Sequence, residues 1–356
     1  MITATITTTP TAPRRSRARA LALATLGLCL GLAPACDDPA AFDERGELVE
    51  REGEGQGGPT FNTNIIDTSA LPAVDTHGAA LDGVRLLHVV VNDAGVPTTV
   101  DADSLRVSEG TIEGEIHGGT RIEGLDFLGS VWTFDVAGTS VTATLAEIET
   151  GSSAGLHNPS DELYILQLDP DRLVYTFQYG QVPNTIRTCA YDSVAGARAV
   201  LYGDIYVDHQ SGEISERDNT IYFGCISGAV GKAALHGYAP DSPSSPSVTL
   251  EEFELAVRAV RADYCGDGTS FTNVGNALTY DDRYDINTHT QAGFVTEALW
   301  EVGVGATCVN RIRSTGNVPL LGVHCGDRKI YSCGNEATAK HTWLGGAAEL
   351  WTKVPS

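Results

Sequence analysis

The residues best placed to do chemistry lie close together. Arg261-Ala-Asp-Tyr-Cys-Gly-Asp-Gly268 puts two carboxylates, a phenol and a thiol within eight positions. Cys265 is a candidate nucleophile, with His324 or His289 as its base, because a catalytic thiol needs a basic neighbour to favour thiolate. Its setting argues against that role. Asp263 and Asp267 flank it, and it follows a helical stretch instead of opening one; both disfavour the anion. A second constellation uses Asp263, Asp267 and His324 as the acid–base set of a hydrolase. A third places Asp267, Asp281, Asp282 and Asp285 around calcium, which favours clustered carboxylate and carbonyl oxygens. EF-hand order is missing, and a solvated acidic face explains the same residues, so the chain predicts no committed metal or cofactor. There is no G-x-S-x-G elbow, H-E-x-x-H, P-loop or dinucleotide fingerprint.

The cysteines constrain more. Cys29 and Cys36 stand apart from Cys189, Cys225, Cys265, Cys308, Cys325 and Cys333. Six cysteines at long, irregular spacing in an exported chain predict three structural disulfides. Their spacing leaves the connectivity open; the working assignment is Cys189–Cys225, Cys265–Cys308 and Cys325–Cys333. C-x-x-C spacing is absent, which disfavours a structural zinc site.

Export itself is read from the amino terminus. Arg14, Arg15, Arg17 and Arg19 precede an apolar run, Leu21–Ala33, and no acidic residue occurs before Asp37. The run is shorter than the roughly 20 residues a membrane-spanning helix needs. A basic segment, a short apolar segment and a small-residue site describe an export signal over residues 1–35. Ala33-Pro-Ala-Cys36 resembles a bacterial lipoprotein box, with Ala33 where a large aliphatic residue is usual. A lipid on Cys36 leaves an even set of six cysteines, so Cys36 is the expected anchor to a membrane of the cell envelope. All 46 acidic residues follow the leader, which contains four of the 23 basic ones, so the mature chain is near −27. That balance excludes a nucleic-acid partner, whose footprint is basic. An envelope component or extracellular ligand remains as the partner class.

These residues need elements to hold them. Residues 36–80 read as an acidic, glycine-rich tether. Residues 81–180 read as a β-rich domain: Val84–Val91 is a β-branched run ending in the turn Asn92–Gly95, Val136–Leu145 is a hairpin about Gly138, and Tyr164–Leu168 and Leu173–Tyr179 flank Asp169-Pro-Asp171. Between Gly110 and Trp132, apolar Ile112, Ile122, Phe127 and Trp132 share a five-residue period with His117. That predicts either a degenerate β-coil or irregular strands, with His117 turned inward. Residues 181–356 read as a mixed domain, with strands at Val200–Val207 and Thr220–Cys225 and a short helix at Gly228–His236. Thr249 and Glu252 form a capping-box pattern for a helix over 250–263, and Gly293–Val302 predicts another. The fold class is α+β: a β-rich N-terminal half with a mixed α/β, disulfide-stapled C-terminal domain.

Ala262-Asp-Tyr-Cys265, Phe223-Gly-Cys-Ile-Ser-Gly-Ala-Val-Gly-Lys232 with Gly237-Tyr238, and Glu297-Ala-Leu-Trp300 leading to Cys308 together resemble the ADYC-domain proteins. These are exported, often lipidated proteins found mainly in myxobacteria. The resemblance covers about 185–340 and, more loosely, the glycine-patterned region before it. It implies export and no particular activity. Members tend to carry extra cysteines after the Lys232 position and in the helix before the motif, where this chain has Ala233 and Ala256-Val257. The expected role is that of a lipid-anchored envelope protein that binds or supports other components. The alternative is an envelope hydrolase using Asp263, Asp267 and His324.

Overall fold

The computed structural model describes residues 63–67, 71–150, 171–180, 182, 186–189, 197–242, 248–273, 276–287, 292–316 and 321–356. The expected leader, Cys36, the expected strand Tyr164–Leu168 and His289 lie outside them.

In chain order the elements are β1 (Ala73–Asp75), β2 (Val84–Asp93), β3 (Val96–Thr99), β4 (Arg106–Ser108), β5 (Thr111–Ile116), β6 (Thr120–Glu123), β7 (Val131–Val136), β8 (Thr139–Thr150), β9 (Leu173–Tyr179), β10 (Ala197–Val207) and β11 (Ile214–Cys225). Two helices follow, α1 (Ala229–Leu235) and α2 (Leu250–Arg261). Then come β12 (Thr279–Asp282), β13 (Phe294–Glu301), β14 (Gly305–Val309), β15 (Val323–Cys325), β16 (Arg328–Ile330), α3 (Glu336–Leu344) and β17 (Leu350–Pro355). The fold is mainly β, with its three disulfides in the C-terminal half.

An eight-stranded sheet in the order β1-β11-β10-β9-β8-β7-β2-β3 is the frame. Its hairpins follow local chemistry. β7 and β8 meet through Ala137 and Gly138, both at positive φ, the geometry that matches the twist of a tight hairpin. Side chains alternate across a strand, and β10 uses both faces. Ala199 and Leu201 enter one core, while Val200 and Tyr202 enter the other. β8 buries only one face: Val141, Ala143 and Leu145 point in beside Trp132 and Phe134 of β7, while Ser140, Thr142 and Thr144 are exposed.

The first core lies between this sheet and the small antiparallel sheet β4-β5-β6. The five-residue period therefore belongs to an antiparallel meander and the short 3₁₀ turn after it, Gly124–Phe127. Ile112, Ile122, Phe127 and Trp132 are buried, but His117 is not. It sits at the β5–β6 turn with φ 51° and faces Asp93 at 3.2 Å. The turn carries His117 outward, while the same phase is buried again from Ile122 onward.

The second core lies on the opposite face, under α1, α2 and the sheet β12-β17-β13-β14. Helix α2 begins as its sequence predicts. Thr249 Oγ1 accepts from Glu252 N at 3.2 Å, and Glu252 Oε2 accepts from Thr249 N at 2.7 Å. Ala233 of α1 and Ala256 of α2 are both fully buried.

Three expectations are corrected. The helix predicted at Gly293–Val302 is strand β13. Ala298 and Trp300 face the second core, while Leu299 faces a third cluster under α3. A strand buried on both sides carries no period-two signal, and its apolar spacing imitates a helix. The tether does not extend to residue 80: Leu71, Ala73 and Val74 are buried, and β1 pairs with β11. Four residues, Leu71-Pro-Ala-Val74, are too few to change the composition of an acidic, glycine-rich segment. Finally, the boundary expected at 180/181 runs through the large sheet, because β9 pairs with β10 across it.

The disulfides are Cys189–Cys225, Cys265–Cys325 and Cys308–Cys333. The expected Cys265–Cys308 and Cys325–Cys333 bridges are replaced by Cys265–Cys325 and Cys308–Cys333. Cys325 lies on the β15–β16 hairpin, which folds back on the segment after α2, while Tyr331 bridges to Cys308 and brings Cys333 to β14. Three such bonds mark a chain of an oxidising compartment, exported from the cytoplasm. Among the described residues, no helix is long and apolar enough to cross a membrane.

Candidate functional site

The corner after α2 holds three of the sequence candidates, Asp263, Cys265 and Asp267. The helix ends at Ala262, whose φ of 52° and ψ of 38° are left-handed, so its N–H turns back to Ala259 and Arg258. This turn aims the next side chain inward. Asp263 is fully buried. Its Oδ1 accepts from Gly266 N at 2.9 Å and Asp267 N at 3.2 Å, and its Oδ2 accepts from Gly268 N at 2.9 Å. Arg258 Nη1 lies 3.3 Å from Oδ2. Burial pushes this carboxyl up, while Arg258 and the loop amides pull it down. With three amides and a guanidinium around it, Asp263 has little capacity left for a substrate.

The loop it holds needs glycine at 268. Gly268 has φ 90°, and a Cβ there would run into Gln210 O in the β10–β11 turn. Arg261 Nη2 donates to Gly268 O at 2.8 Å and its Nε to Asn64 O at 3.3 Å, tying the loop to the start of the described chain.

Tyr264 points into a buried ion pair. Its hydroxyl donates to Glu297 Oε1 at 2.6 Å and accepts from Arg313 N at 3.1 Å. Arg313 pairs with Glu297 through two contacts, Nε–Oε1 at 2.8 Å and Nη2–Oε2 at 2.7 Å. The same guanidinium donates to Val260 O and Ala259 O, the last carbonyls of α2, at 2.7 and 2.8 Å. It is therefore also the C-terminal cap of the helix. The Tyr264 ring stacks on Trp300 at 5.5 Å. Burial, reinforced by Glu297, raises the phenol and keeps it protonated.

Cys265 is bonded to Cys325, so it presents no thiolate. Arg328 Nη2 donates to the carbonyls of Tyr264 and Cys265 at 3.1 and 3.0 Å. A cleft of about 110 Å³ opens beside this disulfide, between α2 and the β13–β14 turn.

No further candidate completes a catalytic or metal site with Asp263 and Cys265. His324 lies exposed on β15, and among the described residues no hydrogen bond or ion pair links its ring to Asp263 or Asp267. Asp267 is exposed and accepts from Thr269 N at 2.9 Å. The acidic set expected for calcium is divided. Asp281 pairs with Lys353. Asp282 is buried and accepts from Tyr238 OH at 2.7 Å and from the amides of Tyr284, Ile286 and Asn287. Asp285 is exposed in a turn at φ 60°. Among the described residues, no group of three or more His, Cys, Asp or Glu is placed to hold a metal ion.

Sequence reading missed Glu297, Arg313 and Tyr238 as structural partners. Glu297 carried a signal: a carboxylate inside Phe294–Trp300, a strand whose other residues are apolar except Thr296, must find a cation if that strand is buried. It also missed the ion pair of fully buried Arg172 with Asp241 at 2.7 Å, where Arg172 also donates to Leu201 O.

A family model described as the ADYC domain matches residues 124–315. The match starts earlier than the sequence resemblance, within the glycine-patterned region, and ends before the β15–β16 hairpin. No curated protein and no solved structure matches the chain.

Proposed function

This chain belongs to the ADYC-domain family, and from that premise we propose that it is an envelope protein anchored by lipid on Cys36, whose folded part binds or supports other components. The observation that carries this reading is the use made of the motif. Ala262 turns the chain, Asp263 holds a loop, Tyr264 completes a buried ion pair and Cys265 closes a disulfide. All four residues act on the protein's own backbone and side chains. A hydrolase built on Asp263, Asp267 and His324 finds less support, because its carboxylate is enclosed and its histidine lies apart. Anchoring fits a chain with disulfides, a leader ending at Ala35 and an even set of cysteines after Cys36.

Two measurements test the reading. The full-length chain is expressed in a bacterium fed an alkyne-tagged fatty acid, and its mature amino terminus is analysed by mass spectrometry. Label on wild type and none on Cys36→Ser supports the anchor; an unmodified Cys36 overturns it. The exported protein is then assayed against esterase, peptidase and glycosidase substrates alongside Asp263→Asn. Turnover that disappears in a folded Asp263→Asn variant overturns the non-catalytic reading.

A further inference from the structure

The three disulfides differ in what surrounds them. Cys189 and Cys225 are 3% and 0% exposed, and Cys308–Cys333 joins a half-buried cysteine to one that is 6% exposed. Cys265 and Cys325 are both half-buried. Cys265 lines the 110 Å³ cleft, whose walls are Arg258 and neighbouring residues of α2, Gly266, and Gly303 to Gly305 of the β13–β14 turn. Three of those wall positions are glycine, so no side chain projects from them over the sulfur.

We infer that Cys265–Cys325 is a thiol-exchange site, and that its substrate is a dithiol reductant entering through this cleft. A thiolate of the reductant attacks Cys265 Sγ. The S–S bond breaks, and Cys325 leaves as thiolate and takes a proton. The second thiol of the reductant then closes on the mixed disulfide and releases Cys265. The protein gains two electrons and two protons, and the reductant becomes a disulfide.

The direction of attack has two independent grounds. Access is one: the cleft reaches Cys265. Leaving-group stability is the other, since the thiol that more readily holds negative charge departs faster. Arg328 sits directly opposite Cys325 in the β15–β16 register, and its guanidinium reaches the Tyr264 and Cys265 carbonyls beside the bond. A neighbouring cation favours the Cys325 thiolate. Cys265 instead follows the carbonyl end of α2 and stands two residues before exposed Asp267, while Arg258 at the cleft wall is already paired with Glu254 and Asp263.

Reduction would remove the covalent link between the β15–β16 hairpin and the loop after α2, leaving the Arg328 hydrogen bonds between them, without unfolding the hairpin. Val323 and Ile330 remain in the second core at 3% and 2% exposure, and Cys308–Cys333 still ties the far end.

The test uses the oxidised, folded protein without denaturant. It is treated with dithiothreitol, and thiols are trapped over time with N-ethylmaleimide and mapped by peptide mass spectrometry. Cys265 and Cys325 should label about tenfold faster or more than the other four, as accessible disulfides exchange ahead of buried ones. With glutathione as the attacking thiol, the trapped adduct should sit on Cys265. Arg328→Gln should slow release of Cys325 several-fold and leave the Cys308–Cys333 rate unchanged. Simultaneous labelling of all six cysteines, or earlier labelling of Cys308 and Cys333, overturns the site. An adduct on Cys325 overturns the direction. If Arg328→Gln fails to fold, the wild-type labelling order decides by itself.

Discussion

On the face of the large sheet toward β4-β5-β6, Trp132, Phe177 and Phe223 meet edge to face, with ring centroids 5.5 to 6.2 Å apart. On the other side, behind α2, Glu297 and Arg313 are 0% and 1% exposed and meet with two hydrogen bonds. The first region is held by apolar area and shape, so its response to change should be graded in the volume removed. The second is held by charges whose partners are specified atom by atom. Removing one member exposes the desolvation cost of the other, so its response should be steep. A polar corner of this kind contributes little net stability over an apolar replacement.

The sharpest way to break the comparison is Arg313→Met. It leaves Glu297 buried without a counter-ion, and should cost about 3–5 kcal/mol in urea unfolding. Arg313→Met with Glu297→Leu should recover most of that loss; a single variant within about 1 kcal/mol of wild type would put the ion pair on a par with surface pairs.

Asp263→Ala comes next. It strips acceptors from the amides of Gly266, Asp267 and Gly268, and should cost about 1–3 kcal/mol. Asp263→Asn keeps an acceptor and should restore part of the loss, so equal unfolding midpoints for the two variants would count against the loop-holding role.

In the apolar face, Ile112→Val should cost about 1 kcal/mol, the ordinary effect of one buried methylene. A loss as large as that of Arg313→Met would erase the contrast between the faces.

The smallest expected effect is a pH slope. His209 Nε2 lies 3.2 Å from Tyr222 OH, which donates to Asp67 at 3.0 Å. Burial holds His209 below its ordinary 6.5, against Asp82 and Asp208. The unfolded chain therefore takes up a proton near pH 6.5 that the folded chain resists. The stability is present above pH 6.5 and is lost as pH falls through the folded value. The melting temperature of His209→Gln should decline less steeply than that of wild type below pH 6.5; identical slopes would remove His209 from the account.

Much of the fold was legible wherever a signal is local. The Thr249–Glu252 capping box, the turn at Asn92–Gly95 and the hairpin about Gly138 each depend on residues within a few positions. The buried set Ile112, Ile122, Phe127 and Trp132 was visible as a period, although the period alone did not name the meander. Legibility failed where burial is two-sided or distant. β13 is covered by α2 on one face and α3 on the other, and no alternation survives in such a strand. Of the site, the sequence located the stretch 261–268 and its residue types. It assigned Asp263 and Cys265 as candidates for chemistry because their partners could not be seen.

Composition and local pattern alone determined an acidic chain, a set of six pairing cysteines and the start of α2. These depend on nearest neighbours or on sums along the chain. Tertiary structure alone decided that Cys265 joins Cys325 and Cys308 joins Cys333, that Tyr264 meets Glu297 and Arg313, and that Asp263 turns inward onto three amides. Each of these choices weighs the cost of burying a polar group against a partner brought by the fold. For Tyr264 that partner lies 33 residues away, and for Cys265 it lies 60 away. Even Asp263, whose amides are its near neighbours, depends on packing: the left-handed turn at Ala262 and the close approach of Gly268 to the β10–β11 turn place the loop around it.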